Sequence, residues 1–215
     1  MALEAIDRFF VLSPHQLQQV TSLLPPNKVM VKSNGIKPFP STSQERKGYV
    51  YVGRLESGKG IEALLKAWEH LAFPLTIIGS GPLEEPLKKQ YQKPFIKFLG
   101  NLPENEVMQH VSVAKYCVHP SLYYETFGLV ILEAMQVGTP VIGFPIGTRK
   151  DFIQHGVNGF LTPPENLADL IKSVDAYPEY KRLSEHARQT AANYQQDKIM
   201  ESQIQQYQTL LGESS

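Results

Sequence analysis

With one cysteine among 215 residues, Cys117, the chain has no partner for an internal disulfide, and a cross-linked secreted scaffold is excluded. That cysteine lies in the apolar stretch YCVHP, where a buried structural thiol is expected rather than a nucleophile. Net charge is also lacking, since 21 basic residues balance 21 acidic ones. No strong field draws the chain towards nucleic acid or an anionic membrane. No apolar run approaches the roughly 20 residues that a bilayer-crossing helix needs. The opening MALEAIDRFF carries acidic residues instead of a basic, then apolar, then small leader pattern, so the chain reads as cytoplasmic. Internal repeats, metal-ligand clusters and low-complexity tracts are missing too. What is present is an ordinary globular composition, 42% hydrophobic and 20% charged, long enough for one domain or for one plus part of another.

From Gly48 onward, short β-branched or aromatic runs alternate with segments of helical period. That is the pattern of an α/β domain, a parallel sheet with helices on its faces. Strands are expected at 48–52, 75–79, 95–99, 116–119, 140–144 and 159–162, and helices near 60–71, 82–91, 103–113, 128–137, 148–154 and 164–175. Gly79-Ser80-Gly81-Pro82 should stop a strand and start a helix with proline in its first turn, and Gly138 should close the helix before Pro140. Before this rhythm, residues 5–33 give strand-like, helix-like and strand-like stretches, and the proline-rich IKPFPSTSQERK reads as a linker. After Pro178 a polar tail of helical period carries an interrupted stripe of Leu183, Ala187, Tyr194, Ile199, Ile204, Tyr207 and Leu211, which needs a partner surface.

Gly53-Arg54-Leu55-Glu56-Ser57-Gly58-Lys59-Gly60 lies between an expected strand and an expected helix and matches most of a phosphate-cradling P-loop. Its last position, Gly60, lacks the hydroxyl that holds magnesium in P-loop NTPases. None of the later strands ends in an acidic residue that would complete that machinery. What survives is Arg54 and Lys59 beside glycines at a strand-to-helix junction. The arginine offers a bidentate fork and the lysine a point charge, so the pair suits a diphosphate. Taken alone, the motif reads more readily as two surface cations on a solvated turn.

A second constellation, PSLYYETFGLVILEAMQVGTPVI, places Glu125 in a loop after the strand YCVH, then Phe127-Gly128, then a helix carrying Glu133. In parallel α/β sheets ligands collect at the carboxyl ends of strands, and the first N–H groups of the next helix attract anions. Gly128 permits close approach, and Glu133, about one and a half turns into the helix, can accept from a ribose hydroxyl. Either glutamate alone also reads as an acidic complement to the helix dipole.

Together these motifs resemble glycosyltransferases of the large retaining family 4, which pair two Rossmann-like domains in the GT-B arrangement. VGRLESGKGIEALLKAW is similar to that family's arginine-and-lysine motif, LTIIGSGPLEEPLK to its glycine-proline turn, and ETFGLVILEAM to its two glutamates separated by seven residues. The resemblance runs from about Arg8 to about Ala176. It implies a Rossmann-like parallel sheet with helices on both faces, the C-terminal half of a GT-B fold, binding a UDP-, GDP- or ADP-sugar. Arg54 and Lys59 are implied to stabilise the leaving diphosphate and Glu125 to hold the donor sugar. The backbone amides of Phe127, Gly128 and Leu129 are assigned to sugar and phosphate, and Glu133 to the ribose. Gly53 lies in the same motif, and Leu102 is expected to border the base. The transfer it implies retains anomeric configuration, is hexosyltransferase-like and uses neither cofactor nor metal; the Asp-x-Asp metal site of other transferases is absent from this sequence.

The family's glycine-rich loop and histidine of an acceptor-binding domain have no counterpart here. Residues 1–35 are therefore expected to be the remnant of that domain and the crossover, 36–178 the donor domain, and 179–215 a helical tail crossing back. Acceptor contacts, with a glycan, lipid or polysaccharide precursor, and any membrane contact are expected of the missing half, and the chain alone is expected to transfer nothing. A module that binds a nucleotide sugar without transferring it would carry the same residues.

Overall fold

The computed structural model describes residues 5–40 and 44–212. Its centre is a parallel sheet of six strands: β3 (Tyr49–Val52), β4 (Leu75–Ile78), β5 (Ile96–Gly100), β6 (Tyr116–His119), β7 (Val141–Gly143) and β8 (Gly159–Leu161). The spatial order is β5-β4-β3-β6-β7-β8. From β3 the chain winds outward one way and from β6 the other, so the order reverses between these neighbours. In doubly wound sheets that reversal opens a crevice at the strands' carboxyl ends.

Apart from the edge strand β5, where Lys97 is exposed, the strands are largely buried on both faces, which is why they read as continuous apolar runs. Side chains alternate across a strand, and β3 divides accordingly. Tyr49 and Tyr51 join a core with α2 (Ile61–Trp68), α3 (Glu84–Gln90) and α7 (Leu167–Val174), whereas Val50 joins a second core with α4 (Glu104–Val113) and α5 (Leu129–Gln136). Helix α2 presents Ile61, Leu64, Leu65 and Trp68 to the sheet, the spacing of one helical face. Trp68 meets Tyr49 edge to face at 5.3 Å and donates its indole N–H to Phe73 O at 2.9 Å. Cys117 is buried in the second core, where desolvation pushes its thiol up to about 12.

The expected α/β architecture with helices on both faces is present, and four local details differ. Pro82 precedes α3 instead of opening it, because Leu83 N donates to Leu55 O at 2.9 Å and holds the turn against the loop after β3. Helix α6 (Arg149–Phe152) is a single turn. The tail is two helices, α8 (Tyr180–Ala192) and α9 (Gln196–Leu211). They part where Ile36 N donates to Tyr194 O at 2.8 Å and Gln196 N to Ile36 O at 3.0 Å. The linker is thus stitched to the fold at Ile36, and Arg46 donates to Thr139 Oγ1 and Val137 O; positions 41–43 lie outside the described residues. The stripe divides with the helix, since Leu183 and Ala187 on α8 are buried while Ile204, Tyr207 and Leu211 on α9 are exposed.

Before the main sheet, β1 (Phe9–Val11) and β2 (Val29–Val31) pair in parallel, joined through α1 (Pro14–Val20). Among the described residues no helix is long and apolar enough to cross a membrane.

Candidate functional site

The loops that follow β3 and β6 meet at the reversal. Leu122 N donates to Gly58 O at 2.8 Å, and Tyr123 Oη donates to Ser57 O at 2.8 Å. Contact this close requires glycine. A Cβ on Gly58 would lie 2.1 Å from the Tyr123 ring, and one on Gly60 would lie 1.8 Å from Pro120 O; both residues have positive φ, 88° and 74°. A P-loop serine or threonine therefore has no room at position 60.

The same contact brings charges together. Lys59 Nζ donates to Glu125 Oε1 at 2.9 Å, and His119 Nε2 lies 3.3 Å from Glu125 Oε2. The Glu125 side chain is 14% exposed. Burial alone would raise its pKa, but the hydrogen bond and charge of His119, followed by those of Lys59, outweigh burial and hold the carboxyl well below the usual range. The carboxylate is thus kept ionised, and its roughly four acceptor positions exceed its two protein partners. His119 has no counterpart in the motif reading. The only signal for it in the sequence is its place as the last residue of the strand beside the reversal.

Arg54 and Lys59 pair with different carboxylates. The Arg54 guanidinium reaches Glu56 Oε2 at 3.0 Å with its side chain 70% exposed. Gly53, Arg54 and Leu102 line a cleft of about 480 Å³ with Gly79, Ser80 and Asn101, at the carboxyl ends of β3, β4 and β5. Leu129 and Glu133 line another of about 660 Å³ with Lys37 and Glu104. Burial, then the nearby Glu104 charge, raise the Glu133 pKa. The Phe127 side chain is core, packed edge to face on Phe152 at 5.0 Å, so only its backbone is available to a ligand. Gly128, at φ 89°, is the residue from which α5 starts. The structure therefore brings Lys59 and Glu125 into contact, sets Arg54 with Gly53 and Leu102, and places Glu133 beside Leu129 in a separate cleft.

A doubly wound parallel domain with glycine-bound, charged loops at the reversal is suited to holding a ligand there, and the solved structures that share this architecture are GT-B glycosyltransferases. The chain belongs to the family described as glycosyl transferases group 1, whose profile matches residues 35–194. It is 34% identical over 195 residues to an uncharacterized glycosyltransferase of Haemophilus influenzae, covering 85% of this chain and 53% of that protein. It is 32% identical over 186 residues to the glycogen synthase of Mycobacterium tuberculosis, covering 78% and 44%. Among solved structures, sucrose-phosphate synthase from Thermosynechococcus elongatus superimposes with TM-score 0.86 at 27% identity, over 99% of this chain and 60% of that one. Anabaena HepE, solved with UDP and glucose, shares the fold with TM-score 0.83 at 20% identity, over 97% and 65%. The chain thus spans about half the length of these curated relatives.

Proposed function

We propose that residues 36–178 bind the nucleoside-diphosphate sugar donor of a retaining glycosyl transfer that needs no metal ion. The observation that carries this reading is the Lys59–Glu125 contact at the sheet reversal, where a cation for phosphate and a carboxylate for sugar hydroxyls stand side by side. HepE, which shares the fold, was solved with UDP and glucose, and this supports the donor class.

As the glycosidic bond breaks, negative charge accumulates on the departing diphosphate. Lys59 and Arg54 stabilise that charge electrostatically, a larger effect in the transition state than in the ground state. Glu125, kept ionised, accepts from donor-sugar hydroxyls. The backbone N–H groups of Phe127, Gly128 and Leu129 take phosphate or sugar oxygens where the α5 dipole favours negative charge. Glu133 takes the ribose hydroxyls, and Gly53 and Leu102 border the base. The acceptor, a glycan, lipid or polysaccharide precursor, is held by a separate domain, for which the greater length of the relatives leaves room.

Calorimetric titration with UDP, GDP, ADP and their hexose conjugates, with and without EDTA, tests this. At least one nucleotide binds, and EDTA leaves the affinity unchanged. Strict dependence on magnesium, or steady ATP turnover, returns the P-loop reading to first place.

A further inference from the structure

Glu125 sits in a loop, yet a hydrogen-bonding carboxylate acts on a ligand only if it is held to within about half an ångström. Lys59 and His119 grip its side chain; something else must fix the backbone that carries it. Three alternate carbonyls of this segment, those of Tyr123, Glu125 and Phe127, are all taken by the side chains of Thr148 and Arg149. Thr148 Oγ1 lies 3.1 Å from Glu125 O and 3.2 Å from Phe127 O, sharing its single proton between them. Arg149 donates from Nη2 to Tyr123 O at 3.1 Å and from Nε to Phe144 O at 2.8 Å, tying the loop to the end of β7.

Both clamping side chains are out of solvent, Thr148 at 1% and Arg149 at 0% exposure. A fully buried guanidinium whose hydrogen bonds go to carbonyls is costly to keep, and packing alone does not call for one. The strand makes room for it: a Cβ on Gly143 would lie 3.3 Å from Arg149 Cδ.

We infer that Thr148 and Arg149 are positioning residues for donor-sugar recognition, setting the height and direction of Glu125 by fixing the three carbonyls around it. The inference rests on the donor-site reading above and concerns the sugar half of the ligand. The diphosphate half depends on Lys59, Arg54 and α5; the backbones of Arg54 and Lys59 are anchored apart from the clamp, Arg54 O accepting from Tyr51 Oη at 2.8 Å and Lys59 N donating to Glu56 O at 3.2 Å. Loss of the clamp therefore weakens the gain in affinity that the sugar contributes, leaving the nucleoside diphosphate bound.

The experiment measures affinities for UDP and UDP-glucose, GDP and GDP-mannose, and ADP and ADP-glucose, and continues with the pair in which the sugar contributes most. Thr148→Val keeps the shape and removes the hydroxyl; it lowers the preference for conjugate over nucleoside diphosphate about tenfold, the scale of a lost hydrogen bond. The diphosphate affinity itself moves less than about threefold. Thr148→Ser, which keeps the hydroxyl, restores the preference to within about twofold. Arg149→Lys, with charge but no fork, shows the same selective loss, so the test survives if Thr148→Val fails to fold. An unchanged preference in both variants overturns the inference, as does a loss shared equally by diphosphate and conjugate, or a serine variant as impaired as the valine one. A parent protein whose sugar adds nothing to affinity overturns it too. A parent protein that binds no nucleoside diphosphate at all refutes the donor site instead.

Discussion

Lys59 and Glu125, 66 positions apart in the chain, are joined at 2.9 Å across the point where the sheet reverses direction. Each is the other's counter-charge, and both are largely shielded, with side chains 30% and 14% exposed. In the proposed donor site, a ligand that engages one of them meets the charge of the other.

Replacing Lys59 with methionine keeps the aliphatic stem and removes the charge. Diphosphate affinity falls by about 1 to 3 kcal/mol, the range for a charge-assisted hydrogen bond. Folding persists, because His119 still lies 3.3 Å from Glu125 Oε2. Calorimetry set beside thermal unfolding checks both halves, and a fall in stability as large as the fall in affinity identifies the pair as structural.

Gly60→Ala loses stability by at least about 2 kcal/mol, since a strained positive φ alone costs about 1 to 3 and Pro120 O must also move from 1.8 Å. Gly156→Ala is the control, at φ 75° with nothing within 4 Å of the new methyl, and costs only about 1 to 2 kcal/mol. Equal losses in urea denaturation would show that the close approach to Pro120 is unimportant.

The sheet was legible because its inner strands are buried on both faces, so runs such as Tyr49-Val50-Tyr51 stand out from amphipathic helices such as Ile61–Trp68. Motif spacing marked Lys59 and Glu125, whose loops the winding of the sheet then brings together. Other features depend on contacts between distant segments and leave no local signature. His119 reads as one more residue of an apolar strand. Arg149 reads as a surface cation although it is entirely buried, and the break between α8 and α9 is made by Ile36, far away in sequence. The pairing of Arg54 with Glu56 is visible only in three dimensions.

The two glutamates pull the pH dependence of stability in opposite directions. Glu125 has a folded pKa depressed below its unfolded value of about 4.3, so its contribution is full above that pH and is lost as pH falls through the folded value. Glu133 is raised by burial and by Glu104, so its contribution is full at low pH and is lost as pH rises. Consequently Glu125→Gln costs more stability at about pH 7 than at about pH 3, whereas Glu133→Gln becomes relatively more stable than the parent as pH rises. Denaturant titrations across that interval read both signs, and parallel curves for the two variants would contradict the assignment.

Glu56 competes with the ligand for Arg54. Its carboxylate holds the guanidinium at 3.0 Å on a side chain that is 70% exposed, and exposed ion pairs of this kind contribute about 0 to 1 kcal/mol to stability. The fold therefore has little need of the pair. An incoming diphosphate must displace Glu56 from Arg54 and then tolerate a like charge beside it, so Glu56→Gln removes both a competitor and a repulsion. Nucleoside-diphosphate affinity rises by about 0.5 to 1 kcal/mol, while the melting temperature stays within about 2 °C, in line with the small worth of an exposed pair. Because salt screens exposed charges, with a screening length near 10 Å at 0.1 M and 3 Å at 1 M, the gain is largest in dilute buffer and fades in concentrated salt. In an Arg54→Ala background the same substitution has no fork to release, so its benefit shrinks to the repulsive part alone. Titrations of the four proteins at two salt concentrations decide the matter: an affinity unchanged or lowered by Glu56→Gln would mean that Arg54 meets the diphosphate without leaving Glu56.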